Sequence, residues 1–228
     1  MAVFLDSGRI DEAERFLSMG IIRGVTTNPT ILSRCGITGG EAALEARAKA
    51  LAGLISPFPL FVEVTTNDPA AMALQARTFA GWAPNIVVKI PVHGPDGELE
   101  NFEVVHRLET REGIRVNMTA MMSAQQCLLG ALAGATYVSL FGGRIGDMGY
   151  EAAGEIRRAR TVLEGQGLIS RIIAGSIREP LNVVLWLEAG AHDVTVPPDL
   201  LRRMIVHPYS RDTIRMFLAD AAKTDKQP

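Results

Sequence analysis

Cysteine and histidine are both scarce: the 228 residues hold two cysteines and four histidines. Cys35 and Cys127 are too few and too far apart for a disulfide framework or a zinc site, and they read as small buried or half-buried apolar residues. His93, His106, His192 and His207 do not fall at the spacing of ligands on strand ends; they read as surface residues, and no metal is expected. Charge of one sign is missing as well. A formal net charge of −2 argues against an electrostatic nucleic-acid binder. No window reaches the roughly 18 uninterrupted apolar residues that a membrane-spanning helix needs. The opening residues MAVFLDSGRI carry no basic segment before their apolar run and reach a carboxylate at Asp6, so they do not read as a signal peptide. The expectation is a soluble cytoplasmic protein.

What is present is the material for a sizeable core, with 47% hydrophobic and 21% charged residues. Short apolar, β-branched runs alternate with helical patterns along the whole length. Strands are predicted at Val3–Leu5, Gly24–Thr27, Leu60–Val64, Asn85–Pro91, Ile114–Thr119, Tyr137–Phe141, Arg171–Ser176 and Asp193–Val196. Between them, helical periodicity covers Ile10–Leu17, Glu41–Leu54, Ala70–Trp82, Asn101–Thr110, Ala124–Ala133, Gly149–Glu164 and Pro180–Leu187. Pro29 suits a helix first turn, and residues 142–149 read as a glycine-dense loop, permissive and costly to order. Two more helices follow, Asp199–Ile205 and Ser210–Ala222, before a polar tail, Lys223–Pro228, expected to fray. Eight strands alternating with helices predict a single (β/α)8 TIM barrel over residues 1–222, with an extra C-terminal helix and the tail at 223–228. An open doubly wound sheet would carry a glycine-rich phosphate fingerprint after its first strand, and Asp6-Ser7-Gly8 is not one.

Within the fourth strand, Ile86-Val87-Val88-Lys89-Ile90-Pro91, a lone lysine interrupts a run that reads as buried on both faces. The plain explanation is a snorkelling side chain or a structural ion pair. The other is chemical: burial presses an amine toward its neutral form, and a neutral amine can attack a carbonyl. The remaining strand ends bear on the choice, because a barrel gathers its site at the C-terminal mouth. They offer Asp6, Thr26, Asn28, Glu63, Asn117, Thr119, Ser139, Phe141 and Ser176, with Arg144 and Arg178 just beyond. Each has a structural explanation of its own: Asp6 and Asn28 suit helix caps, and Glu63 suits a partner for Lys89. Together they place two carboxylates, one amine and two guanidiniums around one mouth. That combination reads as Schiff-base chemistry on a phosphorylated carbonyl compound.

Val25-Thr26-Thr27-Asn28-Pro29-Thr30-Ile31, the strand around Lys89, Asn117-Met118-Thr119 and Gly143-Arg144-Ile145 resemble the signature segments of the transaldolase family, which also includes fructose-6-phosphate aldolase-type enzymes. Ala133-Gly134-Ala135-Thr136-Tyr137-Val138 and Ala174-Gly175-Ser176-Ile177-Arg178 fit as well, and the similarity covers nearly the whole sequence. The resemblance is to the compact branch of the family. It implies Lys89 as the Schiff-base lysine, Asp6 as the group that takes and returns the C4 hydroxyl proton, and Glu63 with Thr119 as holders of a proton-shuttling water. It also implies Thr26, Asn28, Asn117 and Ser139 against the dihydroxyacetone hydroxyls, and Arg144, Ser176 and Arg178 on the phosphate. Glu63, Thr119 and Phe141 match the transferase-type trio around the water, where aldolase-type members carry Gln, Thr and Tyr. The expected activity is therefore transfer of a dihydroxyacetone unit from a ketose phosphate to an aldehyde, without a cofactor. An aldolase-type lyase releasing free dihydroxyacetone is the alternative, and a non-catalytic sugar-phosphate-binding barrel a further one. Met121-Met122 and the glycine-dense loop depart from the family pattern and leave the acceptor's size open. Ile214, Phe217 and Leu218 share one face of the last helix, which covers the barrel's own flank or packs on a neighbouring subunit. Compact members form rings, so a homo-oligomer, pentamer or decamer, is expected.

Overall fold

The computed structural model describes residues 1–224, and the outer part of the predicted tail, 225–228, lies outside the described residues. The first half runs β1 (Ala2–Asp6), α1 (Ile10–Ser18), β2 (Val25–Thr26), α2 (Pro29–Arg34), α3 (Gly40–Ile55), β3 (Leu60–Glu63), α4 (Pro69–Ala80) and β4 (Ile86–Pro91). The second half runs α5 (Glu100–Arg111), β5 (Val116–Met121), α6 (Ala124–Leu132), β6 (Tyr137–Phe141), α7 (Gly142–Asp147), α8 (Ala152–Gly165), β7 (Arg171–Gly175), α9 (Pro180–Glu188), β8 (Asp193–Val196), α10 (Pro198–Ile205) and α11 (Pro208–Thr224). All eight strands are parallel to their neighbours, and β1 pairs with β8, so the sheet closes into a barrel in sequence order.

Period-two alternation sorts the strand residues into two cores. Leu60, Val62, Ile86, Val88, Val138, Leu140, Ile172 and Val194 point outward and join the helices' apolar faces in the main cluster. Phe4, Phe61, Val87, Tyr137 and Ile173 point inward and fill the barrel's middle. Their rings interlock, with Phe61 edge-on to Tyr137 at a centroid separation of 5.1 Å. Below them Arg171 forks onto Asp193, at 2.8 and 2.6 Å, and closes the floor. Two residues further along β1, β3, β4, β6 and β8 the inward positions turn polar, at Asp6, Glu63, Lys89, Ser139 and Thr195, and those positions build the site.

Several expectations need correction. Residues 142–147 form the helix α7 where a loop was expected. β2 is paired over Val25–Thr26 alone, shorter than the predicted strand, whereas Pro29 does open a helix, the six-residue α2, as expected. The last helix continues through Thr224, so the first two residues of the predicted tail are helical. His192 is half-buried, not a surface residue: its Nδ1 accepts from the Ile172 N–H, and burial lowers its pKa, with Arg160 and Arg171 adding repulsion. The last helix does not cover the barrel's flank: Ile214, Phe217 and Leu218 are 56%, 62% and 68% exposed.

Candidate active site

β3, β4 and β5 pair in register so that Glu63, Lys89 and Asn117 stand abreast at one level of the barrel. Lys89 is 5% exposed, and such a burial is tolerable only with partners. It has two: Nζ donates to the Thr27 carbonyl at 2.8 Å and lies 2.7 Å from Glu63 Oε2. Across the barrel, Asp6 stands beside Thr26 in the β1–β2 register. The Thr26 hydroxyl donates to Asp6 Oδ1 at 2.7 Å and also meets the Thr195 hydroxyl from β8. Burial raises the Asp6 carboxyl's pKa above the ordinary carboxylate value. The Thr26 bond and then the Lys89 charge oppose that rise, while Glu63 adds to it. On β6 the Ser139 hydroxyl donates to Asn117 Oδ1 at 2.8 Å.

β5 is irregular where it matters. The register against β6 slips between Met118 and Met121, and Ala120 takes a left-handed φ of 62°. A non-glycine residue pays about 1–2 kcal/mol for that conformation. Thr119, next to it, is fully buried, and its Oγ1 has no hydrogen-bond partner among the described residues. A buried hydroxyl without a partner costs about 1–3 kcal/mol, so the strained bulge presents a group that a water or substrate atom would satisfy.

The outer rim is built by the short helix α7. Phe141 ends β6, and the Arg144 guanidinium sits 5.5 Å over its ring. Ser176 follows β7 with a left-handed φ of 60°. Arg178 Nη2 lies 2.5 Å from Asp147 Oδ2, both side chains half exposed. The glycines here serve close approach. A Cβ on Gly143 would fall 1.7 Å from the Ser176 carbonyl oxygen, and one on Gly142 would fall 2.7 Å from the Trp186 ring. At Gly142 and Gly143 the reading of extra permissiveness is therefore replaced by one of tight packing, which presses the start of α7 onto the β7 corner, while Gly146 and Gly149 meet nothing within 4 Å.

Asp6, Thr26, Asn28, Lys89, Asn117, Thr119, Ser139, Phe141, Arg144, Ser176 and Arg178 all line one cavity of about 310 Å³ at the C-terminal mouth. Glu63 is off that wall, behind Lys89. Asn28 also caps α2, its side chain accepting from the Ile31 N–H at 2.8 Å, whereas Asp6 caps nothing, since α1 starts after Arg9 without a side-chain cap. Arg34 and Thr195 line the same cavity and were not anticipated. Thr195 stands two residues after Asp193 and so shares its inward face, a signal available in the alternation; Arg34 lies at the far end of α2, whose start at Pro29 was expected but whose extent was not. Among the described residues, no cluster of three or more His, Cys, Asp or Glu side chains is arranged to hold a metal ion. The arrangement is suited to carbonyl addition: an amine with a carboxylate beside it, a second carboxylate of raised proton affinity facing it, and guanidiniums at the open end for an anionic group.

The sequence matches the family model described as Transaldolase/Fructose-6-phosphate aldolase over residues 3–227. It is 38% identical over 226 residues to a protein of Dehalococcoides mccartyi named "Probable transaldolase", covering 99% of this chain and 100% of that one. It is 37% identical over 220 residues to "Probable transaldolase 2" of Listeria monocytogenes, covering 96% and 95%. Among solved structures, thiamine phosphate pyrophosphorylase from Pyrococcus furiosus superposes with a TM-score of 0.60 over 86% of this chain and 85% of that one. At 13% identity, it shares the fold alone.

Proposed function

The chain belongs to the transaldolase/fructose-6-phosphate aldolase family, and from that membership we propose that it is a transaldolase-type transferase moving a dihydroxyacetone unit from a ketose phosphate to an aldose phosphate. The observation that carries this reading is Lys89, buried at the floor of an open polar cavity between the Thr27 carbonyl and Glu63, with Asp6 on the opposite side. The Lys89 amine adds to the C2 carbonyl, and the carbinolamine loses water to give an iminium. Asp6 takes the C4 hydroxyl proton, the C3–C4 bond breaks toward the iminium, and an aldose phosphate leaves. The enamine then attacks the acceptor aldehyde, and Asp6 returns the proton to the new hydroxyl. Hydrolysis of the second imine frees the product. Glu63 and Thr119 hold the water that carries protons in the addition and dehydration steps, which gives the partnerless Thr119 hydroxyl its partner. Thr26, Asn28, Asn117 and Ser139 hold the dihydroxyacetone hydroxyls, and Arg144, Ser176 and Arg178 the phosphate.

Phe141 stands where a phenol would help protonate the enamine, and its apolar ring favours transfer over release of free dihydroxyacetone. The two free thiols, Cys35 and Cys127, suit a reducing cytoplasm. The exposed apolar face of α11 suits a homo-oligomer, a pentameric or decameric ring. The test is borohydride reduction in the presence of fructose 6-phosphate, followed by peptide mass analysis. A reduced adduct on Lys89, absent from Lys89→Met, is the expected result. No adduct, with sugar phosphate still bound, would leave a binding protein and end the enzyme reading.

A further inference from the structure

Thr195 lines the cavity and has no task in that mechanism. It is buried, and its methyl points at Gly175, where a Cβ would lie 3.3 Å from Thr195 Cγ2. Its hydroxyl has one hydrogen-bond partner among the described residues, the Thr26 hydroxyl. A threonine hydroxyl carries a single proton. Thr26 commits its own to Asp6 Oδ1 at 2.7 Å whenever that carboxyl is ionised. The contact between the two threonines is then a hydrogen bond in one sense only, with Thr195 donating and Thr26 accepting. The donors line up as a directed chain across three adjacent strands, β8 to β2 to β1, aimed at one oxygen of one carboxylate.

We propose that Thr195 is a positioning residue that acts through Thr26 on Asp6, fixing Oδ1 as an acceptor and leaving Oδ2 to exchange the substrate's hydroxyl proton. The inference rests on the Schiff-base reading of Lys89. The proton moves from the C4 hydroxyl to Oδ2 and back from Oδ2 to the new hydroxyl, and none passes through the threonines. Their work is polarisation and orientation. A hydroxyl that accepts a bond donates more strongly, and one with nothing behind it rotates among staggered positions. The balance on Asp6 makes this consequential. Burial and Glu63 on β3 favour the protonated acid; the Thr26 bond and Lys89 on β4 favour the carboxylate, and β8 contributes the Thr195 hydroxyl alone. Taking away the first donor of the chain weakens one of the two influences that keep Asp6 ready to accept a proton.

The test compares Thr195→Val, which keeps the shape and removes the hydroxyl, with Thr195→Ser, which keeps the hydroxyl. The readouts are the pH profile of kcat/KM for fructose 6-phosphate with an aldose phosphate acceptor, and borohydride trapping on Lys89. In Thr195→Val the acid limb moves up by about half a pH unit, equivalent to about a threefold loss below the limb. Thr195→Ser keeps the wild-type limb, and both variants are trapped as the wild type is. A Thr195→Val limb that coincides with the wild type's, or a Thr195→Ser limb displaced as far as Val's, overturns the proposal. If Thr195→Val does not fold, Thr195→Ala carries the same comparison. Failure of the wild type to be trapped overturns the Lys89 reading and this inference with it, whereas normal trapping with an unmoved limb overturns the relay alone.

Discussion

Asp6 is held against its own solvation. Burial raises its pKa more than Thr26 and Lys89 lower it, so ionising this carboxyl costs the folded protein stability that it does not cost the unfolded chain. The raised value makes the folded state bind the proton more tightly than the unfolded one. The penalty is therefore absent below the ordinary carboxylate value near 3.8, grows as pH rises through the folded value, and is complete above it. Asp6→Asn, whose amide oxygen can still accept from Thr26, should then raise Tm at pH 7, with the gain vanishing toward pH 3, while transfer falls by about 100-fold or more. Thermal scans across that range beside a transfer assay check both halves. Phe141 allows a second residue-scale prediction. Phe141→Tyr adds a phenol beside the water that Glu63 and Thr119 would hold, so the ratio of free dihydroxyacetone to transferred product should rise by about 10-fold. A donor and acceptor assay reads the ratio directly, and an unchanged ratio would refute the role given to this ring. At this scale legibility followed contrast. Lys89 stood out because a charge in an apolar β-branched run is costly. Thr195 did not, because threonine is an ordinary strand residue and only the third dimension brings it to Thr26.

At the scale of elements, the strands were legible and the short helices beside the mouth were not. β6 and β8 fall on their predicted bounds because their apolar runs are closed by glycine or proline. α7 escaped notice because Gly142-Gly143 and Gly146 depress helix propensity, and packing against β7 and α9 overrides that local preference. β5 overran its predicted end because a bulge at Ala120 has no signature in a sequence that offers alanine where glycine would be at ease. The α7 glycines can be separated by substitution. Gly143→Ala must push against the Ser176 carbonyl from 1.7 Å and should cost about 3 kcal/mol or more while raising KM for the phosphorylated donor. Gly146→Ala meets nothing within 4 Å inside the same helix and should gain about 0.5–1 kcal/mol. Denaturant melts of the pair decide whether α7 is held by close packing or only loosely ordered, in which case the two variants would behave alike.

For the whole molecule, the alternation of strands and helices was enough to give the closed barrel, but periodicity along α11 could identify an apolar face without saying what it meets. The structure narrows the choice. α11 has 17 residues, and a helix in a protein draws most of its stability from the packing of an apolar face. The barrel does not do so, since the residues from Pro208 to Lys223 are all exposed. Ile214, Phe217 and Leu218 stand one turn apart on one face, and Ile205, Val206 and Tyr209, also exposed, lead into it. Contiguous apolar surface of that kind marks an interface more often than free surface. If a neighbouring subunit covers it, Phe217→Glu with Leu218→Glu should lower the mass measured by light scattering from that of a ring toward a single chain of 24.6 kDa. The far-ultraviolet signal of the barrel should persist. Because the cavity is lined by one chain's own strands, the separated subunits should keep borohydride trapping on Lys89 while losing thermal stability. An unchanged mass would mean that α11 does not hold subunits together, and loss of trapping on dissociation would mean that the site is not complete within one barrel.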